Sequence, residues 1–367
     1  MTSSICKRRV TLRWISEAVK SFKWPMVALA VLLLFNLFFT PGFFAVGLRQ
    51  GRLVGSVFDL LKRASPRMII AFGMTLVIAT GGIDVSVGSI AAISGSVAAI
   101  VIRGGDIAYL ATQTASTVPV PLVLVIALSI AVLCGLFNGF LVAVLRMQPI
   151  VATLILMVAG RGAAMLISQG YVLNFIHPGF QFLGSGHFLA LPTPIVIAAV
   201  VFVIMLIVLR QSPLGLFVQS TGGNQTASYY AGTNTTLVKL FVYAISGLCA
   251  GIAGVIITAD VRSADPAYTG LWIELEAILA VAIGGTAMAG GRFTLAGTVF
   301  GALIIQTLIT TLLTRAVPVQ HTLILQALVV IIVLMIQSHR IQHLWQRNRK
   351  RPSRLIGSAG EEETRSV

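Results

Sequence analysis

The sequence predicts an all-α integral membrane protein of about ten transmembrane helices, some of them short or broken, with a candidate internal repeat. Three observations carry that reading. Hydrophobic residues make up 57% of the 367 positions and charged residues 10%, a balance (mean hydropathy +0.95) that water-soluble globular domains do not reach. Apolar runs recur along the whole chain. The 26 Lys and Arg gather mostly at the ends and in short connections. A net charge of +15 would suggest nucleic acid in a soluble chain, but here the basic residues read as topology signals beside anionic lipid, and no nucleic-acid partner is expected.

Residues 1–24 carry six Lys or Arg against Glu17 alone and are expected to form a basic cytoplasmic segment. No small-residue cleavage site follows the next apolar run, so 25–44 reads as an uncleaved first span, opening a transmembrane domain over 25–337. In 45–67, Arg49, Arg52, Lys62, Arg63 and Arg67 alternate with Val54, Val57, Phe58, Leu60 and Leu61 at roughly helical spacing, which predicts an interfacial amphipathic helix. The span count puts these five positive charges outside, against the usual bias.

Further runs at 68–79, 90–102, 121–145, 150–168, 194–209, 240–259, 275–289, 294–313 and 322–337 bring the count to ten. Several fall short of the ~20 residues a straight helix needs to cross a bilayer, so they borrow flanking residues or are half-helices. An even count returns 338–367 to the cytoplasm, and its seven Lys and Arg agree; the connection 170–192 holds neither and suits the outer face.

Between the second and third runs lies T-G-G-I-D-V-S-V-G-S (80–89), with the only acid between Asp59 and Asp106. Glycine frees the backbone and a carboxylate is costly in hydrocarbon, so the helix is expected to break there. Broken backbone at membrane depth survives only inside protein or against a wet cavity. Two readings of Asp84 stay open: a wall of a pathway, or a cap for the next helix through its side-chain oxygen. A second junction, A-I-G-G-T-A-M-A-G-G-R (282–292), resembles A-T-G-G-I-D-V-S-V-G-S (79–89), and each precedes a small-residue helix. An internal duplication would explain this. So would close helix packing.

The connection 210–239 opens on Gly222, Gly223 and Asn224, continues through Ala227, Tyr230 and Ala231, and stops at Gly232. A short cytoplasmic helix with a cap and a glycine stop has that form; a plain polar loop is the alternative. The Asn-x-Thr triplets at 224 and 234 match a glycosylation acceptor that a cytoplasmic loop would never present. Glu274 and Glu276, two apart, fall on different helix faces and suit a helix N-terminus. Asp260, Arg262 and Asp265 are expected on the outer side, paired together, solvated or facing a partner.

Catalytic signatures are missing: the sequence has no G-x-x-x-x-G-K-[ST], H-E-x-x-H or G-x-S-x-G, and neither the five histidines nor Cys6, Cys134 and Cys249 show metal-ligand spacing. No metal and no catalytic residue is expected. Hydroxyl, amide and carboxylate groups inside spans, namely Asp84, Ser86, Ser89, Asn138 and Gln306, are candidates to line a pathway for a neutral polar solute. Gluing helices together is their alternative role.

The 80–89 stretch, the G-G-N-x-x-A-x-x-x-G loop (222–232), and E-L-E-A-I-L-A-V-A-I-G-G-T-A-M-A-G-G-R followed by G-T-V-F-G-A-L-I-I resemble the permease subunit of bacterial ABC importers for ribose and other monosaccharides. The motifs run in order from about residue 50 to 337. The pieces L-R-Q-G-R-L-V-G-S, Q-P-I-V-A-T-L-I-L-M-V-A-G-R-G and A-D-V-R-S-A-D-P-A-Y-T-G-L-W resemble the galactofuranose permeases of that family.

This resemblance implies a multi-pass subunit of the bacterial inner membrane with both termini cytoplasmic. It also implies a cytoplasmic ABC ATPase that uses ATP, a second permease subunit and a periplasmic sugar-binding protein. No cofactor is expected on this chain. The loop of Gly222, Gly223, Asn224, Ala231 and Gly232 would dock on the ATPase. Thr233, where a branched apolar residue is common, and Ser228 and Tyr229, where a charge often sits, depart from the family pattern. An ion-driven secondary transporter remains an alternative, to be marked by several membrane-buried acids or histidines; a membrane enzyme would need a nucleophile with a base or a metal cluster.

Overall fold

A computed structural model describes residues 25–40, 42–49, 51–105 and 118–314, with isolated positions 324, 327, 328 and 331. The chain divides into two units, Met1–Ala316 and Val317–Val367, and every element named below belongs to the first. The expected terminal segments 1–24 and 338–367 lie outside the described residues, as does the span at 322–337 apart from four helical positions.

Twelve helices are described: α1 (Pro25–Phe39), α2 (Ser56–Ala79), α3 (Val87–Ile102), α4 (Val120–Ala143), α5 (Pro149–Ile167), α6 (Pro178–Ser185), α7 (Thr193–Gln211), α8 (Leu214–Gly223), α9 (Gln225–Tyr230), α10 (Thr235–Val261), α11 (Ile273–Ile283) and α12 (Leu295–Thr314). Among them α4, α5, α7, α10 and α12 are long and apolar enough to cross a membrane. Helices α4 to α7 each open with a proline in the first two positions (Pro121, Pro149, Pro178, Pro194), where a missing N–H is no loss.

The expected amphipathic helix over 45–67 is not formed. Strands β1 (Gly47–Arg49) and β2 (Arg52–Val54) pair as an antiparallel hairpin around Gly51, whose φ of 72° closes the turn. The glycines at 47, 51 and 55 break the helical spacing. Residues 56–67 instead extend α2, which is how a short apolar run at 68–79 gains the 24 residues of that helix.

The run expected at 275–289 is also shorter. Helix α11 has 11 residues, about 16 Å at 1.5 Å per residue, and ends at Gly284 and Gly285. Its first turn meets Arg67 midway along α2 and Gly88 in the first turn of α3.

Helix α10 is the hub, packed against α2, α3 and α4. Small residues let these helices approach backbone to backbone. A Cβ on Gly254 would overlap the carbonyl oxygen of Ala91, and a Cβ on Gly135 that of Tyr243. Helix α3 is buried along almost its whole length, with Ser94 Oγ donating to Gly251 O at 3.1 Å. Around it lies a core that includes Ile93, Val97, Leu173, Phe175, Phe180 and Val255.

The connection 170–192, expected on the outer face, folds into short elements. His177 Nδ1 accepts from Phe180 N at 3.1 Å and caps α6, and Gly184 sits against Ala259 and Asp260. Strand β3 (Leu173–Asn174) pairs with β6 (Ser263–Ala264), and β4 (His187–Phe188) with β5 (Leu191–Pro192).

Candidate functional site

Helix α2 ends at Thr80, whose N–H reaches back to Leu76 O and Val77 O; Gly81 then takes a φ of 80°, and α3 begins at Val87. In the intervening stretch Gly81 is exposed while Gly82, Asp84 and Ser86 are buried, and Asp84 enters a polar cluster. Asp84 Oδ1 accepts from Ser86 N (3.1 Å), Ser86 Oγ (2.6 Å) and Asn138 Nδ2 (3.4 Å), while Oδ2 accepts from Ser246 Oγ at 2.8 Å. Asn138 Nδ2 also donates to Ser86 Oγ at 2.6 Å. Four donor contacts to one carboxylate are the compensation a charge needs away from water. The Ser86 N contact closes a local turn just before α3, whose N-cap Ser86 makes no side-chain cap bond, and the Asn138 and Ser246 contacts tie the break to α4 and α10.

Of the five sequence candidates, Asp84, Ser86 and Asn138 converge here. Ser89, one turn along α3, donates instead to Ser86 O (2.8 Å) and to Leu156 O of α5 (3.1 Å). Gln306 lies apart on α12, its Nε2 donating to Thr310 Oγ1 at 3.0 Å. Sequence reasoning missed Ser246 and Tyr243, both from α10, and Thr153 of α5, whose Oγ1 accepts from Val85 N at 3.2 Å. Ser246 was hidden in a small-residue run, where it looks like a packing residue. Two buried atoms beside Asp84, Asn138 Oδ1 and the Tyr243 hydroxyl, have no hydrogen-bond partner. Hydroxyls, amides and one carboxylate suit hydrogen bonding to a neutral polyol; among the described residues no group of three or more His, Cys, Asp or Glu is placed to hold a metal.

The 210–239 connection forms α8 and α9. Asn224 Oδ1 accepts from Ala227 N at 2.9 Å as the cap of α9, Gly232 stops the turn at φ 86°, and Asn234 caps α10 through Leu237 N at 3.1 Å. Gly222 and Gly223 close α8 instead of forming a turn of their own, because Asn224 takes the extended conformation that separates the helices. Ala231 is exposed beside Tyr229 and Tyr230.

Asp260 and Glu276 have basic partners on α2. Lys62 pairs with Asp260 and Arg67 with Glu276, and these four residues help line a cavity of about 250 Å³ with Tyr268 and Gly270. Asp265 Oδ1 accepts from Ala267 N at 2.9 Å and Tyr268 N at 3.1 Å. Arg161 Nη1 donates to Thr269 O at 2.6 Å and Pro266 O at 3.2 Å, pinning this segment to α5. Both Glu274 and Glu276 sit in the first turn of α11 on different faces, as their spacing requires. Glu274 is buried, with Oε2 unpaired against Gly88. His187 on β4 is pushed below the ordinary imidazole value by burial first, then by Arg52 and Lys62.

A family model described as branched-chain amino acid transport system / permease component matches residues 56–334. The galactofuranose transporter permease protein of Escherichia coli (strain K12) is 46% identical over 326 residues, 88% of this chain and 92% of that protein. The fructose import permease protein of Bifidobacterium longum (strain NCC 2705) is 35% identical, covering 92% of each chain. The ribose import permease protein of Escherichia coli (strain K12) is 34% identical over 91% of this chain and 97% of its own. No solved structure matches.

Proposed function

The chain belongs to the permease-component family of these transport systems, and on that premise we propose that it is the membrane-spanning subunit of an ABC importer for a monosaccharide, galactofuranose first among candidates. The observation that carries this reading is 46% identity to a galactofuranose permease along 88% of the chain. The chain is not an enzyme: it has no phosphate loop, and hydrolysis belongs to a separate ATPase subunit. A periplasmic binding protein would deliver the sugar, and a second permease subunit would complete the translocation unit. No cofactor is assigned to this chain.

The ten spans of this proposal would be α1 to α5, α7, α10 to α12 and the run at 322–337, five of which are long and apolar enough by themselves. With 1–24 inside the bacterial cell, α8 and α9 fall on the cytoplasmic face and the β1–β2 hairpin, α6 and the Lys62–Asp260 cavity on the outer face, in the inner membrane. Asp84, Ser86, Ser89, Asn138 and Gln306 are the proposed pathway groups, and the Asn138 and Tyr243 atoms left unpaired favour a hydroxylated solute there. Among the described residues Glu274 raises the buried carboxylates to two, but the family assigns the driving force to ATP.

Proteoliposomes carrying this chain with its ATPase and binding protein should take up labelled galactofuranose only when ATP is enclosed with the ATPase. Uptake driven by a proton or sodium gradient without ATP would overturn the assignment.

A further inference from the structure

Three backbones meet without a side chain between them at the end of α8. Gly291 N donates to Ala79 O at 2.9 Å, joining the end of α2 to the connection between α11 and α12. A Cβ on Gly222 would overlap that same Ala79 oxygen and approach Gly291 N to 2.6 Å. From the facing wall, a Cβ on Gly290 would come within 2.8 Å of Gly222 O and 3.0 Å of Gly81 N. The two glycine-rich junctions singled out in the sequence thus touch each other, and the α8 glycine touches both.

The break continues directly into the polar cluster. A Cβ on Gly82 would lie 2.7 Å from the Tyr243 hydroxyl, and Asp84 follows two residues later. We infer that Gly222 is a positioning residue: it hands displacement of α8 straight to the Gly81–Gly82 break that holds Asp84, in addition to the covalent route through α7. The inference rests on the reading in which α8 and α9 meet an ATPase. A side chain can absorb a small shift by changing rotamer, whereas backbones at van der Waals distance must move together. Any displacement of α8 therefore reaches the ends of α2 and the 284–294 connection at once, two places where helices are already interrupted.

The neighbouring Gly223 has nothing within 4 Å of its Cβ position, which supplies an internal control on the same helix. Both variants, Gly222→Ala and Gly223→Ala, add one methyl group to α8, and only the first enters the junction. Hydrogen exchange on the purified chain in nanodiscs should show faster exchange in peptides covering 79–86 and 289–293 for Gly222→Ala and no change for Gly223→Ala. In the complete importer, sugar taken up per ATP hydrolysed should fall about tenfold in Gly222→Ala.

Unchanged exchange in Gly222→Ala, an unchanged transport ratio in Gly222→Ala, or an equal rise of exchange in Gly223→Ala each overturns the inference. Should Gly222→Ala not accumulate, Gly290→Ala presses on the same contact from the other wall and is read in the same two ways. If the unmodified chain binds no ATPase, the functional reading falls, and the junction stands or falls on exchange alone.

Discussion

Asp84 accepts from Ser86 and Asn138 through Oδ1 and from Ser246 through Oδ2, and each of those bonds is weakened if the carboxylate is neutralised. Asp84→Asn offers one acceptor and turns an NH₂ toward groups that donate, so the break loses charge-assisted bonds of about 1.5–3 kcal/mol each. The variant should still reach the membrane in normal amount, because α2 and α3 keep their packing. Initial sugar uptake should fall by about tenfold or more, and uptake at the normal rate would leave Asp84 only its role in holding the break to α4 and α10. Tyr243→Phe probes the same cluster from the other side. Its hydroxyl is buried without a partner, so its removal should leave thermal unfolding unchanged or slightly higher. A lower affinity for sugar with unchanged Tm would show that the hydroxyl meets the substrate in another state of the cycle. Asp84 was visible in the sequence because a lone acid among glycines is unusual in an apolar chain. Tyr243 and Ser246 were not, because a tyrosine and a serine in an apolar run have ordinary packing roles and only the fold brings them to Asp84.

At the scale of elements, the caps of α9 were legible and the path of residues 45–67 was not. The sequence G-G-N…A-G spells a capped short helix, and α9 forms with Asn224 as its cap and Gly232 as its stop. Residues 45–67 misled because charges spaced for a helix straddle two structures: Arg52 belongs to the hairpin, and Lys62, Arg63 and Arg67 to α2. The acids that receive Lys62 and Arg67, Asp260 and Glu276, lie about 200 residues further on, so the charges on α2 make sense only after folding. Near α9, Tyr229 and Tyr230 are 67% and 84% exposed, an aromatic pair left open on a polar connection. Ala231 stands next to them, and Ala231→Arg would place an unmatched charge in any contact made there. That variant should insert normally yet lose ATPase stimulation by loaded binding protein, measured in reconstituted complexes. Normal stimulation would move the docking element to 146–149 or 290–293.

For the whole molecule, the sequence bias and the folded arrangement bear on orientation from different directions. Fifteen of the 26 Lys and Arg lie in 1–24, 210–239 and 338–367, which favours a cytoplasmic place for all three. The outer assignment of the hairpin and α6 opposes that bias locally, with Arg52, Lys62, Arg63 and Arg67 on one side. Pairing resolves part of the conflict, since Lys62 and Arg67 are matched by acids and so contribute less as free positive charge. Leu53 N donates to Ala190 O at 3.1 Å, so the hairpin and the 187–192 strands share one face, and one label reports on both. Leu189 is 84% exposed on that face, and Tyr230 is equally open at α9. In a chain freed of Cys6, Cys134 and Cys249, a membrane-impermeant maleimide added to spheroplasts should label Leu189→Cys at once and Tyr230→Cys only after permeabilisation. The opposite pattern would invert the chain, put α8 and α9 beyond the reach of any cytoplasmic ATPase, and leave the Gly222 junction without a driver.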